Sequence, residues 1–380
     1  MQFAYANPCS ERDYLQYGEV LFNNTNSTSL VGKSVVFREH ISAVCSNHVT
    51  RLLVKDDIEP EFVETVLNML QRKGYFARLC TNFNNQAGIN TTTLSSVRLP
   101  IPPESEREKL VAAMDSARAE RRAKLAEADA LLAGIDDFLL DALGIAAPAE
   151  DTRRVFAVRG QFAANRIDPH FHSPDFARIG EMLSQVHCEP LGKLATLSKE
   201  TWNPRDHEQP TFRYIEISTV SPQTGEAHWN EVLASEAPSR ARMQVRADDI
   251  IVSLTRPHHG SIAHLGPEFN GCIASTGFAV IRGVAEYVSR EYLWCALRAK
   301  FCLQQMRQRA SGGNYPAITE SELENVLIPV PDAETQGYVA DEIGRRREEA
   351  RRLRAEAEAG WEGAKRWFEV QLLDTAKMVR

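Results

Sequence analysis

Two polar loops follow short apolar runs in the chain, and their side chains are of the types that contact nucleic-acid bases. The first loop, after residues 20–22, contains Asn23, Asn24, Thr25, Asn26 and Ser27. The second, after residues 250–252, contains Ser253, Thr255 and Arg256. Asn pairs bidentately with adenine and Arg with guanine, so both loops are candidate readers of base edges. The same residue types are ordinary turn formers, and a purely structural role stays open.

Further candidates for nucleic-acid contact lie close to these loops. Lys33 follows Gly32 near the first loop, and His258 and His259 follow the second. The segment Ser311-Gly-Gly-Asn-Tyr315 ends in Asn314 and Tyr315, and its glycines allow close approach to another backbone. A surface turn is the alternative at each of these places.

Catalytic chemistry is not indicated by the sequence. Neither a Gly-x-Gly-x-x-Gly segment after a strand nor a Gly-Lys-Ser/Thr phosphate loop occurs. His170 and His172, with His187 and Cys188, form a conceivable metal set, but solvated or packed histidines are the favoured interpretation. We therefore predict a non-enzymatic chain without a metal site or cofactor of its own.

The elements that carry these residues alternate between strands and helices. Short β-branched runs predict strands at 34–37, 51–54, 214–217, 250–252 and 278–281. Apolar residues at helical spacing predict helices over Glu61–Leu79 and Arg290–Gln308. The globular parts are therefore expected to be α+β.

The last third of the chain repeats the first third. Leu-Pro-Ile-Pro at 99–102 is matched by Ile-Pro-Val-Pro at 328–331, at an offset of about 229 to 230 positions that holds through the flanking residues. Residues 152–237 have no counterpart ahead of residue 8, so the first copy is expected to lack part of its domain. The missing part would leave an unpaired strand edge.

A long charged helix follows each Pro-x-Pro segment, over Glu106–Leu143 and Thr335–Leu372. Both have a narrow apolar seam at three-and-four spacing, which is typical of coiled coils. We predict two globular domains, each a mixed sheet with helices, separated by two long helices that pair as an antiparallel coiled coil. Two surface helices lying on their own domains are the alternative.

Composition is that of an ordinary globular protein. The chain has 380 residues, 43% hydrophobic and 25% charged, and no apolar run approaches the ~20 residues of a membrane span. Seven cysteines without a Cys-x-x-Cys pair indicate reduced thiols and a cytoplasmic protein. The net charge of −7 argues against nucleic-acid binding unless basic residues cluster on one face.

An ordered set of segments resembles the specificity subunit of type I restriction-modification systems. The segments are GEVLFNNTNSTSLVGKSVVF, NRIDPHFHSPDF, APSRARM leading into DDIIVSLTRP, and SGGNYPAITESELENVLIPVPDAETQ. The resemblance covers nearly the whole chain. It divides the chain into a partial first target-recognition domain (1–102), a first spacer helix (103–145), a second target-recognition domain (152–332) and a second spacer helix (333–376).

The resemblance implies a DNA-binding subunit without catalysis of its own. Each target-recognition domain would read half of a bipartite site in double-stranded DNA, and the long helices would set the spacer and dock methyltransferase subunits. A restriction/translocase subunit would join them, with S-adenosylmethionine and ATP bound by these partners. Two alternatives remain: a coiled-coil scaffold that holds proteins together, and a truncated or silent specificity cassette that reads only one half-site.

Overall fold

The computed structural model describes residues 13–83, 86–146, 155–157, 166–204 and 210–378. The chain divides into two compact units. Unit 1 comprises Met1–Ala126 and Leu353–Arg380, and unit 2 comprises Glu127–Arg352. Both units combine sheets with helices, so the predicted α+β class is confirmed.

The core of unit 1 is a three-stranded antiparallel sheet. Its strands are β1 (Val20–Asn23), β3 (Ser34–Val36) and β4 (Val49–Leu52), with β1 in the centre. Val20 and Phe22 are fully buried against helix α1 (Pro60–Arg72), which also carries a buried apolar face. Within the described part of unit 1, β4 has no neighbouring strand on its outer side.

Two differences from the sequence prediction have local causes in unit 1. The strand predicted at 51–54 ends at Leu52 and begins at Val49, and Leu53 is 81% exposed. Arg51 holds this register because its guanidinium donates to the buried carboxylate of Glu19 (2.6 and 2.8 Å). The helix predicted over Glu61–Leu79 is broken by Gly74, whose positive φ of 69° ends α1 and starts α2 (Tyr75–Leu79).

A second, smaller sheet in unit 1 brings distant loops together. Its strands are β2 (Thr25–Asn26), β5 (Thr81–Phe83) and β6 (Gln86–Gly88). β6 lies in the middle and pairs antiparallel with both neighbours. The short helix α3 (Thr91–Ser95) follows, capped by the Asn90 side chain, which accepts from the backbone N–H of Thr93 (2.8 Å).

Unit 2 is built around two four-stranded sheets. One has the order β13-β12-β15-β8 and the other β10-β9-β14-β11, and β7 pairs with β16 apart from them. The strand bounds are β7 (Cys188–Pro190), β8 (Ala195–Leu197), β9 (Thr211–Ile215), β10 (Asn230–Leu233), β11 (Ala241–Gln244), β12 (Ile250–Ser253), β13 (Ile262–His264), β14 (Ile273–Ser275), β15 (Phe278–Val284) and β16 (Leu327–Pro329). The predicted strand at 214–217 is displaced, because Ile217 already starts a 3₁₀ turn.

The long helices pair antiparallel within each unit. The helices are α4 (Glu104–Ala133), α5 (Ile135–Ala142) and α11 (Ala333–Met378). In unit 1, Arg121 of α4 forms an ion pair with Glu358 of α11 (2.5 Å), and in unit 2 Arg346 of α11 donates to the Gly134 carbonyl (2.8 Å). Residue numbers of paired positions rise on one helix as they fall on the other, so the predicted antiparallel pairing is confirmed. The predicted single helix over Glu106–Leu143 is interrupted at Gly134.

The remaining helices cover the sheets of unit 2. They are α6 (Pro174–Leu183), α7 (Leu191–Leu194), α8 (Arg290–Arg298), α9 (Lys300–Arg309) and α10 (Glu320–Glu324). The helix predicted over Arg290–Gln308 is therefore two helices. It breaks at Ala299, because the Asp136 carboxylate accepts from the backbone N–H of Lys300 (2.7 Å) and caps a new helix start.

The two copies of the sequence repeat fold alike. β1 and β12, β4 and β15, and α3 and α10 lie at corresponding positions, again about 229 to 230 residues apart. Among the described residues, no strand of unit 1 corresponds to β7 or β8 of unit 2. Within that same part of the chain, no helix is both long and apolar enough to cross a membrane.

Candidate nucleic-acid interface

The two polar loops of unit 2 are joined in space by backbone pairing. Thr255 and Ser311 each form a β-bridge with Ala317, and the backbone N–H of Arg256 donates to the Pro316 carbonyl (2.7 Å). The loop after β12 and the loop before α10 therefore form one surface. The sequence predicted both loops as candidates but did not predict that they meet.

Arg256 is the central side chain of this surface. Its Nε and Nη2 atoms donate to the Asn314 carbonyl (3.2 and 2.7 Å), and its guanidinium lies 4.5 Å from the centre of the Tyr315 ring. Its backbone has a φ of 48°, in the left-handed region that a non-glycine residue enters at a cost. Tyr315 is 71% exposed, so its ring offers a free aromatic face next to a cation.

Ser253 and Thr255 support the loop from inside. Ser253 is buried, and its hydroxyl donates to the Thr255 carbonyl (2.8 Å). Thr255 is half-buried and held by its bridge to Ala317. These contacts fix the backbone conformation from which Arg256 projects.

A cluster of cationic and imidazole groups lies beside Arg256. The rings of His258 and His259 are 4.7 Å apart, and His259 is exposed. Burial lowers the pKa of His258, and repulsion from His259, Arg307 and Arg256 lowers it further. His258 Nδ1 is buried without a hydrogen-bond partner in the described structure. The local potential is therefore positive, as a surface that attracts phosphate requires.

Two members of this cluster, Arg307 and His170, were not predicted to contact nucleic acid. Arg307 is exposed on α9, and its carbonyl oxygen lies 3.2 Å from His170 Nε2. Both also contribute to lowering the pKa of His258. The sequence shows Arg307 only as one of several basic residues of its domain, because the approach of α9 to residues 257–259 is a tertiary contact.

The conceivable metal set is not assembled. His172 contacts the Arg166 carbonyl, and His187 lies 3.2 Å from Glu189. Across the described ranges, no group of three or more His, Cys, Asp and Glu side chains is placed to hold a metal ion.

Unit 1 builds the same loop arrangement. Thr25 pairs with Gly88, and Gly88 pairs with Thr81, at positions that correspond to Thr255, Ala317 and Ser311 of unit 2. The partner loop, residues 81–88, was not predicted as a candidate. The repeat offset places it beneath Ser311–Ala317, and this was the signal that could have identified it.

The asparagines of the first loop are engaged within unit 1. Asn23 Nδ2 donates to the Leu30 carbonyl (3.3 Å), and Asn24 Nδ2 donates to the Asn47 carbonyl (3.1 Å) and to Thr50 Oγ1 (2.9 Å). Asn26 Oδ1 accepts from the Ser27 backbone N–H (2.8 Å). Both amide protons of Asn24 are thus used to shape the loop.

Two side chains near the first loop of unit 1 have donor groups without a described protein partner. Asn26 is half-buried, and its side-chain amide nitrogen makes no hydrogen bond to the described residues. Lys33 is exposed, and its ammonium group is likewise without a partner among those residues. Both side chains therefore have donor groups that a ligand could contact.

The chain is similar to known specificity subunits over most of its length. It is 22% identical over 352 residues to the specificity subunit named for the type I restriction enzyme MjaX of Methanocaldococcus jannaschii, covering 90% of this chain and 75% of the relative. It is 27% identical over 110 residues to the type I restriction enzyme HindI specificity subunit of Haemophilus influenzae, covering 28% of this chain and 24% of the relative. No protein-family model matches the chain.

A solved structure shows the same fold. The S subunit of a type I restriction-modification system from M. genitalium matches 95% of this chain and 84% of its own, with a TM-score of 0.50 at 13% identity. This likeness places the duplicated α+β units and paired long helices of the chain in the same fold class as that S subunit. The chain is a relative of the specificity subunits of type I restriction-modification systems, and the resemblance stated from the sequence is confirmed.

Proposed function

We propose that this chain is the sequence-specific DNA-binding subunit of a type I restriction-modification complex, reading a bipartite site and directing methyltransferase and restriction subunits to it. The observation that carries the proposal is the duplicated pair of loops. A two-loop surface of the same topology occurs at corresponding positions in both units. Two equivalent surfaces on one chain suit a target with two half-sites.

In unit 2, base contact would centre on Arg256, with Asn314 and Tyr315 beside it. The guanidinium and the exposed ring present hydrogen-bond donors and an aromatic face, while His259 and Arg307 supply positive charge for phosphates. The acidic net charge does not oppose this role, because the cations are local to the loops.

In unit 1, contact would fall to Asn26 and Lys33, since Asn23 and Asn24 are held inside the loop. Thr25 takes part through its backbone pairing with Gly88. This half offers fewer free polar side chains than unit 2, so we expect it to contribute less to specificity.

The division of the chain follows the same proposal. Residues 1–102 and 152–332 would be the target-recognition domains, and 103–145 and 333–376 the spacer helices. The helices carry apolar side chains on their outer faces, including Tyr338 (59% exposed) and Val370 (54% exposed), which suits docking of the methyltransferase subunits. S-adenosylmethionine and ATP would be bound by those partners, and this chain would be non-catalytic.

The test is DNA binding by the chain together with its methyltransferase subunit. The methylated motif is first identified in the host genome, and anisotropy is measured on a duplex with this motif and on a scrambled duplex. Affinity for both should fall with rising salt, with a slope of about −0.9 per phosphate contact, and the cognate duplex should bind at least ~10³-fold tighter. Equal affinity for the two duplexes, or no binding, would favour a protein scaffold instead.

A further inference from the structure

Unit 1 has an apolar groove at the outer edge of its sheet. The groove has a volume of about 290 Å³ and is lined by Thr50, Leu52, Val63, Leu67, Thr91, Leu94, Ser95, Val97 and Leu99. These residues come from β4, α1, α3 and the segment that follows α3. Among the described residues, no charged side chain lines it.

The corresponding place in unit 2 is filled by the chain itself. At the repeat offset of about 229 to 230, Leu52, Val97 and Leu99 correspond to Ile281, Val326 and Ile328. Those three residues are completely buried, whereas the unit 1 residues are half-buried. The difference arises because β7, α7 and β8 cover them, and Leu191 and Leu194 of α7 belong to the same core.

The backbone of unit 2 shows how the covering segment is held. β8 pairs antiparallel with the edge of β15, with Leu197 opposite Ile281, and the N–H of Leu191 donates to the Val326 carbonyl (2.8 Å). β7 pairs with β16, with Glu189 opposite Ile328. Residues 188–197 therefore form a clip: a strand, one helical turn with two buried leucines, and a second strand.

In unit 1 the groups that would receive such a clip are unoccupied by any described residue. No described strand lies beside the outer edge of β4, and residues 97–101 form no strand, although they correspond to the segment that contains β16. Ile101 and Leu53 are exposed by 53% and 81%. Unpaired strand edges next to exposed apolar surface favour addition of another segment.

We infer that this groove binds a polypeptide segment from outside residues 1–380, with the chemistry of residues 188–197: two strands joined by a Pro-Leu-x-x-Leu turn. The sequence contains Pro-Leu-x-x-Leu once, at 190–194, and unit 2 already uses that copy. The partner's two leucines would fill the groove, and its strands would pair with β4 and with residues 97–101.

A synthetic peptide with the sequence of residues 186–199 tests this inference on the full chain. The measurements are fluorescence anisotropy of the labelled peptide and amide hydrogen exchange of the protein. Saturable binding is expected, with slower exchange at the amides of Asp56 and Ile101. These amides correspond to those of Ala285 and Val330, which donate to the Leu194 and His187 carbonyls in unit 2.

Matched variants locate the binding site. A peptide with Leu191→Asp and Leu194→Asp should bind at least ~10-fold more weakly, because charge replaces the apolar groups that fill the groove. Thr91→Lys in the protein should weaken binding similarly, whereas Thr92→Lys should not. Both threonines are exposed on α3, so neither variant threatens folding, but only Thr91 lines the groove.

Three results would overturn the inference. The first is no saturable binding of the unmodified peptide to a chain whose circular dichroism shows it to be folded. The second is equal binding by the unmodified and aspartate peptides. The third is concentration-dependent protection of Asp56 and Ile101 without peptide, because that result would assign the groove to a second copy of the chain. None of these outcomes depends on DNA binding.

Discussion

At the scale of single residues, Arg256 combines backbone strain with a specific side-chain arrangement. Its left-handed φ is stabilised by the bond from its own N–H to Pro316 and by two side-chain bonds to Asn314. Strained backbone at a loop that holds a cation against an exposed ring is typical of binding sites. Nε and one N–H of Nη2 thus bind the neighbouring loop, which leaves both N–H groups of Nη1 and the second N–H of Nη2 without a partner among the described residues.

We predict that Arg256→Ala weakens specific DNA binding by ~1–3 kcal/mol, the range for one bidentate base contact, and leaves non-specific binding nearly unchanged. The control is Arg213→Ala. Arg213 likewise donates to two carbonyls, of Glu268 and Asn270, and lies 5.3 Å from the Trp229 ring, but it lies on β9. Titrations on cognate and scrambled duplexes compare the two variants.

A parallel loss of specific and non-specific affinity in Arg256→Ala would identify a phosphate contact instead. No loss in either would show that this loop does not contact DNA. Arg256→Lys should keep the non-specific affinity for DNA, because Lys retains the positive charge. It should lose specific affinity, because Lys lacks the planar arrangement of donors of Arg.

His258 should make DNA binding dependent on pH. Burial and neighbouring cations lower the pKa of this imidazole in the free protein, so it is neutral at pH 7. Phosphates nearby would favour the protonated form, so binding should take up a proton and tighten as pH falls from ~7.5 to ~6, by at most about tenfold per pH unit. The slope should flatten in His258→Gln and persist in His228→Gln, where the exposed imidazole lies on a different loop.

The lowered pKa of His258 also makes the free energy of unfolding depend on pH. The folded state binds the proton of His258 less tightly than the unfolded state does, so unfolding takes up a proton once pH falls below the unfolded pKa of ~6.5. The stability of unit 2 is therefore unaffected above that pH and decreases below it. Urea unfolding at pH 7.5 and 5.5 should show a smaller loss in His258→Gln than in the unmodified chain; an equal loss would contradict the assignment.

At the scale of elements, the repeated helices and strands could be predicted from the sequence because their patterns depend on local spacing. The apolar seams of the long helices and the β-branched runs of β1, β12 and β15 appear in the sequence with their proper periods. The helix break at Ala299 and the pairing of Thr255 with Ala317 could not be predicted from the sequence. The first depends on Asp136, 164 positions away, and the second on a contact between loops 62 positions apart.

The antiparallel pairing of α4 with α11 provides a test of the helices as a spacer. Deleting Arg121–Glu127 removes two turns and, with them, the ion pairs of Arg121 with Glu358 and of Lys124 with Glu356. The register beyond the deletion moves by ~10 Å at 1.5 Å per residue, so the melting temperature should fall. A compensating deletion of Leu353–Ala359 should restore the register and most of the stability.

The doubly deleted chain is the informative one for function. If the helix pair sets the distance between half-sites, the methyltransferase complex that contains the doubly deleted chain should methylate a site whose spacer is shorter by about three base pairs, at ~3.4 Å each, or lose activity. Sequencing of methylated sites in cells that carry each deletion measures this. If a complex with the folded, doubly deleted chain still methylates the site with the original spacer, a spacer role for these helices is excluded.

At the scale of the whole molecule, the two copies of the repeat differ in how completely they are covered. β12 and β1 are both four-residue central strands, and their first three residues are buried in each case. The strands beside them differ: the first four residues of β15 are fully buried, whereas β4 is half-buried along its length. The groove that accompanies this difference was not predicted from the sequence, because its lining combines β4, α1 and α3, which are distant in the chain.

The asymmetry should appear as unequal local stability in the isolated chain. We predict that amides of Val49–Leu52 exchange at least ten times faster than those of Phe278–Ile281, because an edge strand opens without breaking a second ladder, whereas β15 is paired on both sides. The matched comparison is β1 with β12, which are both central and equally long. A difference between their exchange rates therefore reports a difference in stability between unit 1 and unit 2. Hydrogen exchange read by mass spectrometry on the chain alone gives all four rates. Equal protection of residues 1–102 and 152–332 would show that unit 1 is as stably folded as unit 2, and that its open edge has no energetic consequence.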